Sequence, residues 1–174
     1  MNATIEQMID YLGKGRFVKF TNTNDFPELS EEVRSFLRNY GLDIDQRNGY
    51  PILMTDGKLK QFKDGLVEIG IFPDLKLVPK YCIEVSSGKV VFSDPYENDE
   101  IDIINTSLER FLACKYTMAY YYREIEFKKK YGEYYLNNRK YAKILRDMLN
   151  EVEPGIENFP TWQDELFQKE LGVI

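Results

Sequence analysis

Residues 81–112 read YCIEVSSGKVVFSDPYENDEIDIINTSLERFL and contain the clearest local folding signals in the chain. Two runs rich in β-branched and aromatic residues, 81–85 and 89–92, flank a connection of three residues that ends in Gly88. A short connection with a glycine in the left-handed region is typical of a β-hairpin, so we expect a positive φ at Gly88. The stretch therefore predicts an antiparallel sheet with this hairpin at its centre.

A helix is predicted directly after this region. Thr106 is followed three residues later by Glu109, the spacing of a capping box in which each side chain accepts from a free backbone amide of the first turn. Apolar residues such as Leu108, Phe111 and Leu112 then recur at helical spacing. We therefore expect a helix over 106–124 that packs one face on the sheet.

The rest of the chain extends this pattern to a complete fold. Asp56-Gly57 and Asp64-Gly65 are typical turn dipeptides, and they separate apolar runs that predict strands at 51–55, 58–62 and 66–71. The hairpin completes an antiparallel meander of five strands from about 50 to 92, and residues 16–20 offer a sixth. Apolar periodicity predicts further helices at 4–12, 29–40, 138–152 and 161–171, with Thr4, Ser30 and Thr161 as their caps. The fold class is α+β, a five- to six-stranded antiparallel meander sheet with helices on one face, in a single domain spanning 1–174.

Composition limits the functions that this fold can carry. The 174 residues include no histidine, which removes Ser-His and Cys-His nucleophile pairs and histidine-ligated zinc. Glu68 and Glu84 lie on predicted strands, but nothing in the sequence brings them together as an acid and a base. Cys82 and Cys114 are isolated and are predicted to be buried thiols. The spacing of a calcium-binding loop is also missing, so we expect no enzymatic activity, metal or cofactor.

The acidic segment SDPYENDEIDI, between the hairpin and the next helix, is the candidate partner-binding site. Its carboxylates are Asp94, Glu97, Asp99, Glu100 and Asp102. A connector of this charge could meet a basic protein surface and speed association, and the alternative interpretation is a solvated loop. The net charge of −6 also favours a basic partner over nucleic acid.

One basic segment supports a different interpretation. Between 127 and 141, tyrosines alternate with Lys128, Lys129, Lys130, Arg139 and Lys140. Such a segment could hold phosphates while Tyr131, Tyr134 and Tyr135 stack on bases, but we favour an exposed connection between two helices. For Trp162, we favour a core anchor over an interface hot spot. The chain has no stretch of about 20 apolar residues and no signal peptide at its start, so the expectation is a cytoplasmic protein without a membrane span.

The chain resembles the SUKH superfamily, which includes bacterial toxin-immunity proteins, Syd and yeast regulators of cell-wall glucan synthesis. The resemblance is to its fourth immunity group. The residues that carry it are the LxxxVRSFLRNYG run at 29–41, the hairpin at 81–92, NTSLERFL at 105–112, and LNEVEPG at 149–155 with Trp162 and Leu166.

This resemblance implies a protein without catalytic residues or a cofactor. A member of this group protects its own cell by binding a toxin domain, often a nuclease or deaminase, and blocking it. Two alternatives stay open: a regulatory scaffold or adaptor of the yeast-regulator type, and a small nucleic-acid-binding protein.

Overall fold

A computed structural model describes residues 3–72, 79–93, 101–126 and 137–172. In these ranges the chain is α+β, with a five-stranded antiparallel sheet and a separate two-stranded sheet. The helices are α1 (Ile5–Leu12), α2 (Glu31–Asn39), α3 (Leu108–Tyr120), α4 (Asn138–Val152) and α5 (Pro160–Leu171). The strands are β1 (Phe17–Val18), β2 (Leu42–Asp43), β3 (Lys60–Lys63), β4 (Leu66–Ile71), β5 (Lys80–Glu84), β6 (Val90–Ser93) and β7 (Ile101–Asn105).

The large sheet is a meander in which β3 to β7 pair in the order of the sequence. The β5–β6 hairpin is confirmed: Tyr81 lies opposite Phe92, Ile83 lies opposite Val90, and Gly88 has a φ of +73°. The predicted α+β meander is therefore correct in class and in connectivity.

The strand predicted at 51–55 is wrong. Only Met54 pairs there, in an isolated bridge to Ile71 with both N–O distances at 2.9 Å. Pro51 has no amide hydrogen for a ladder, and its carbonyl instead accepts a hydrogen bond from the Lys115 Nζ of α3 at 2.6 Å. This segment is thus bonded to α3 at Pro51 and not to a neighbouring strand. The strand predicted at 58–62 lies at Lys60–Lys63.

The fifth strand is β7, which the sequence interpretation assigned to the acidic connector. In β7, Ile103 pairs with Val91 and Asp102 pairs with Phe92 of β6. The sixth strand expected from residues 16–20 is also wrong, because β1 pairs with β2 outside the meander.

Helix ends agree with the sequence where a local cap decides them. Thr4 caps α1 in the predicted reciprocal arrangement with Gln7, and Ser30 caps α2. The cap of α3 is Ser107, one residue later than predicted, because the Thr106 hydroxyl instead bonds to Glu153. Thr161 is not a cap, since α5 begins one residue earlier with a proline.

The helices α1, α2 and α3 share one apolar core cluster with the strands. Met8, Leu37 and Leu112 of these helices are buried in this cluster, which also contains strand residues such as Ile83. A second apolar cluster joins α3, α4 and α5. It contains Trp162, which is fully buried, and this confirms the core-anchor interpretation.

Both cysteines are buried and free, as predicted, and burial raises the pKa of the Cys82 thiol to about 12. Burial also raises the pKa of Cys114. In the described part of the chain, no helix has the length and apolarity that a bilayer crossing requires.

Candidate functional site

A groove of about 740 Å³ opens at the end of the sheet where β4 and β6 finish and β7 begins. We call it the acidic groove. Its charged lining residues are Arg47, Asp102, Asp164 and Glu165. Its aromatic lining residues are Tyr50, Phe72, Phe92 and Tyr122. The groove thus combines three carboxylates with four aromatic rings.

The aromatic rings are held by contacts with the core. Tyr50 stands edge-on to the buried Trp162, with ring centroids 4.9 Å apart and an interplanar angle of 84°. Phe92 contacts Phe72 at 6.4 Å and Tyr81 at 5.2 Å, both edge-on. Because buried neighbours fix three of the rings, this wall is preorganised for a ligand.

The fourth ring, Tyr122, belongs to a π-helical turn, Tyr121–Glu126, that continues α3. The ammonium of Lys169 in α5 lies 4.5 Å from the Tyr122 ring centroid. Lys169 is fully buried and pairs with Glu126 at 2.5 Å. Turns of this type, with one extra residue, are often found at functional sites, and here the turn attaches the groove wall to α5.

The carboxylate of Glu165 in the acidic groove has a perturbed pKa. Burial raises its pKa from 4.5 to about 6, and the charge of Lys169, one helical turn away, opposes the shift. Among the described residues, no hydrogen bond offsets the cost of burying this charge. Lys169 itself is engaged by Glu126, so the Glu165 carboxylate is poorly compensated by the residues that the structure describes.

Two tyrosines lie close enough to Glu165 for its charge to affect their pKa values. The pKa of Tyr50 is raised well above its ordinary value, first by burial and then by Tyr81 and Glu165. The pKa of Tyr81 is raised as well, again first by burial, with Glu165 contributing. Both phenols are therefore neutral at pH 7, and the negative charge of this region lies on the carboxylates.

Of the predicted partner-binding residues, the structure describes Asp102, which lies half-buried on β7 and lines the acidic groove. Asp94, Glu97, Asp99 and Glu100 lie outside the described residues. The prediction of an acidic connector is corrected from Ile101 onward, because alternating apolar residues pair this segment with β6. Asp102 therefore has the fixed backbone of a strand.

The basic segment is described only in part. Lys128, Lys129 and Lys130, with the three tyrosines predicted to stack on bases, lie outside the described residues. Arg139 and Lys140 lie in the first turn of α4. The Arg139 side chain is 90% exposed and lies 3.7 Å from Glu170, and Lys140 lies 5.8 Å from the Tyr141 ring centroid.

The two carboxylates considered as an acid and base pair have separate partners. Glu68 forms an ion pair with Lys80 at 2.6 Å, and Glu84 accepts a hydrogen bond from the Ser87 hydroxyl. Within the described ranges, no three cysteine, aspartate or glutamate side chains are arranged to hold a metal ion.

A second groove, of about 580 Å³, lies at the opposite end of the sheet. We call it the turn groove, because it is bounded by the β5–β6 turn, α2 and the start of α3. Its Ser30 and Ser107 hydroxyls cap α2 and α3, and its Thr106 hydroxyl bonds to Glu153. The carboxylates that line it, Glu32 and Glu109, are exposed.

Comparison of the chain with protein-family models, curated proteins and solved structures finds no match. The acidic groove also contains residues that sequence reasoning missed, above all Glu165 and Tyr122. One signal for Glu165 was present, since it is three residues after Trp162 and four before Lys169, on the inward stripe of α5. No sequence signal marks Tyr122, because its position depends on the π-helical turn.

Proposed function

We propose that the protein is a non-catalytic immunity protein that neutralises a basic toxin domain by binding it through the acidic groove. The observation that carries this proposal is a poorly compensated carboxylate, Glu165, in a preorganised aromatic groove that also contains Asp102. The resemblance to the SUKH superfamily supplies the biological role. A nuclease or deaminase toxin offers a suitable partner surface, because such domains bind nucleic acid with basic residues.

The charge balance of the acidic groove supports a basic partner. Three of the four charged residues that line it are acidic. The fourth, Arg47, is paired with Asp45 at 3.1 Å, so its charge is already used by a carboxylate outside the groove. Opposite potentials on two surfaces speed association and reject wrong partners, and truncating a buried charge pair costs about 2–5 kcal/mol.

The proposal predicts that a toxin domain is encoded beside the gene for this chain, and the test is neutralisation of that domain. The native chain should form a one-to-one complex with that domain and restore growth of cells that produce it. Asp102→Asn and Glu165→Gln together should weaken the complex at least about 30-fold, since the loss of one desolvated charge pair costs about 2 kcal/mol or more.

Glu32→Gln in the turn groove is the control, because it neutralises an exposed carboxylate without touching the acidic groove. Its complex should keep the native affinity. Failure of the native chain to bind or protect would contradict the proposed function. Equal affinity of the double variant and the control would remove the acidic groove from the interface.

A further inference from the structure

We infer that the acidic groove is a receptor for one arginine side chain of the partner, stacked on the aromatic wall and paired with Glu165. This inference depends on the proposed function for the nature of the partner, a basic protein. It adds the chemical group that is recognised and the residue that recognises it. The occupant is therefore an arginine-bearing segment, rather than a basic surface in general.

Charge selects a cation. Asp102, Asp164 and Glu165 line the groove, and Arg47 is the one basic lining residue in the described ranges. Arg47 contributes little opposing charge, because its guanidinium pairs with Asp45 and its side chain is 69% exposed. A cationic ligand would therefore meet a groove in which, among the described residues, acidic side chains outnumber the basic one.

The aromatic wall selects a guanidinium over an ammonium. A guanidinium is planar, is weakly hydrated and stacks on aromatic faces, while its five donors can pair with a carboxylate at the same time. An ammonium is a strongly hydrated point charge and loses more hydration on a wall of rings. With about 740 Å³, the groove has room for the side chain and for the residues that carry it.

Position selects Glu165 as the principal anion. Burial raises its pKa to about 6, so desolvation of this carboxylate is already part of the folded state. The ionisable groups near it are Tyr50 and Tyr81, which are neutral, Lys169, which pairs with Glu126, and the neighbouring Asp164. A bound guanidinium would supply the missing opposite charge. It would also release the proton that Glu165 carries below pH 6.

The test uses the isolated protein and small probes, so it does not depend on the toxin. N-acetyl-arginine amide, N-acetyl-lysine amide and the uncharged N-acetyl-citrulline amide are titrated at pH 7.5 and low salt, with binding followed by NMR chemical shifts. We expect arginine amide to bind with a millimolar Kd and to shift signals of Tyr50 and Tyr122. Lysine amide should bind at least about 3-fold more weakly, and citrulline amide at least about 10-fold more weakly, because cation–π attraction and ion pairing favour the guanidinium.

Two variants locate the site. Glu165→Gln should weaken arginine amide at least about 10-fold, because it removes the charge-assisted pair. Arg47→Gln should strengthen the binding of arginine amide about 2-fold, because the variant removes a positive charge from the lining of the groove. Glu32→Gln should leave the native Kd unchanged. Circular dichroism shows whether each variant is folded, and Tyr122→Leu, which removes a ring without changing charge, gives a second route if Glu165→Gln does not fold.

The outcomes separate this inference from the proposed function. Absence of arginine binding, equal binding of lysine amide, or unchanged binding by both Glu165→Gln and Tyr122→Leu would overturn the inference. Tight toxin binding would leave the proposed function standing in each of these cases. Specific arginine binding by a chain that binds no toxin would support the inference and contradict the proposed function.

Discussion

The acidic groove and the turn groove lie at opposite ends of one sheet, and they differ in how their polar groups are used. In the turn groove, the Ser30, Ser107 and Thr106 hydroxyls all bond to groups of the chain itself. In the acidic groove, Glu165 is desolvated without a hydrogen bond to offset that cost among the described residues. Polar groups at the first end stabilise the fold, while at the second end Glu165 costs stability.

This difference is our reason for proposing the acidic groove, and not the turn groove, as the binding site. Strain and unfavourable burial persist in a protein where function requires them, and stability is then supplied elsewhere. Glu153 fixes one side of the turn groove through Thr106. Its fully buried carboxylate accepts hydrogen bonds from Asn105 Nδ2, Thr106 N and Arg110 Nη1 at 2.8–3.1 Å. That network is one source of the compensating stability.

The largest effect is expected from Glu153→Ala. It leaves the buried Asn105 amide and the partly buried donors of Thr106 and Arg110 without this acceptor, so the free energy of unfolding should fall by about 3 kcal/mol. Urea denaturation measures the loss. Glu157→Ala, at a half-exposed site nearby, is the control and should stay within about 0.5 kcal/mol of the native chain. A loss below about 1 kcal/mol for Glu153→Ala would show that this network does not hold the turn end.

Glu165→Gln should do the opposite and stabilise the fold. Because burial raises the pKa of Glu165 from 4.5 to about 6, the folded state binds the proton more tightly than the unfolded state, and stability falls as pH rises through this window. The variant should therefore gain about 1–2 kcal/mol above pH 6, and the gain should shrink toward zero as pH falls to 4.5. Urea denaturation at pH 4.5, 5.5 and 7.5 measures this. A variant less stable than the native chain at pH 7.5 would mean that Glu165 supports the fold.

Ser107→Ala tests which hydroxyl begins α3 at the turn groove. Ser107 Oγ accepts from Arg110 N at 3.2 Å, so its loss should cost about 1 kcal/mol, the usual value of an N-cap. Thr161→Ala in α5 is the matched control, because Thr161 lies inside its helix and makes no cap. Thermal denaturation compares the two, and an equal loss would contradict the assignment of Ser107 as the cap.

The smallest effect is expected from Glu32→Gln. Glu32 is an exposed carboxylate in the first turn of α2, where it interacts favourably with the helix dipole. Its neutralisation should cost about 0.3 kcal/mol. If the variant were stabilised as strongly as Glu165→Gln, the contrast between the two grooves would fail.

Local signals were sufficient for much of the fold. The sequence predicts α4 at its observed bounds because Tyr141, Leu145 and Leu149 repeat on one face and Pro154-Gly155 ends the helix. It predicts the β5–β6 hairpin because the turn requires a glycine at 88. In both elements, the residues that decide the structure lie within a few positions of each other.

The errors arise where distant residues decide. Thr106 fits a capping box by spacing, but Glu153, 47 residues later, takes its hydroxyl and leaves Ser107 as the cap. The strand over 101–105 was not predicted, because the acidic residues around it favoured a connector. Its pairing depends on β6. The sequence indicated an acidic site near Asp102, but it could not place Glu165 beside it, because α5 meets this end of the sheet only in the folded chain.

The edges of the sheet have a further consequence for the behaviour of the protein at high concentration. Edge strands with free backbone groups promote aggregation between copies. At β7 the Trp162 indole of α5 donates to the Ile104 carbonyl at 2.9 Å, which occupies a backbone acceptor of this strand. At β3 the pairing register with β4 is interrupted between Gln61 and Lys63. Lys60 and Lys63 also place two positive charges on this strand. Both features make strand addition at these edges less favourable.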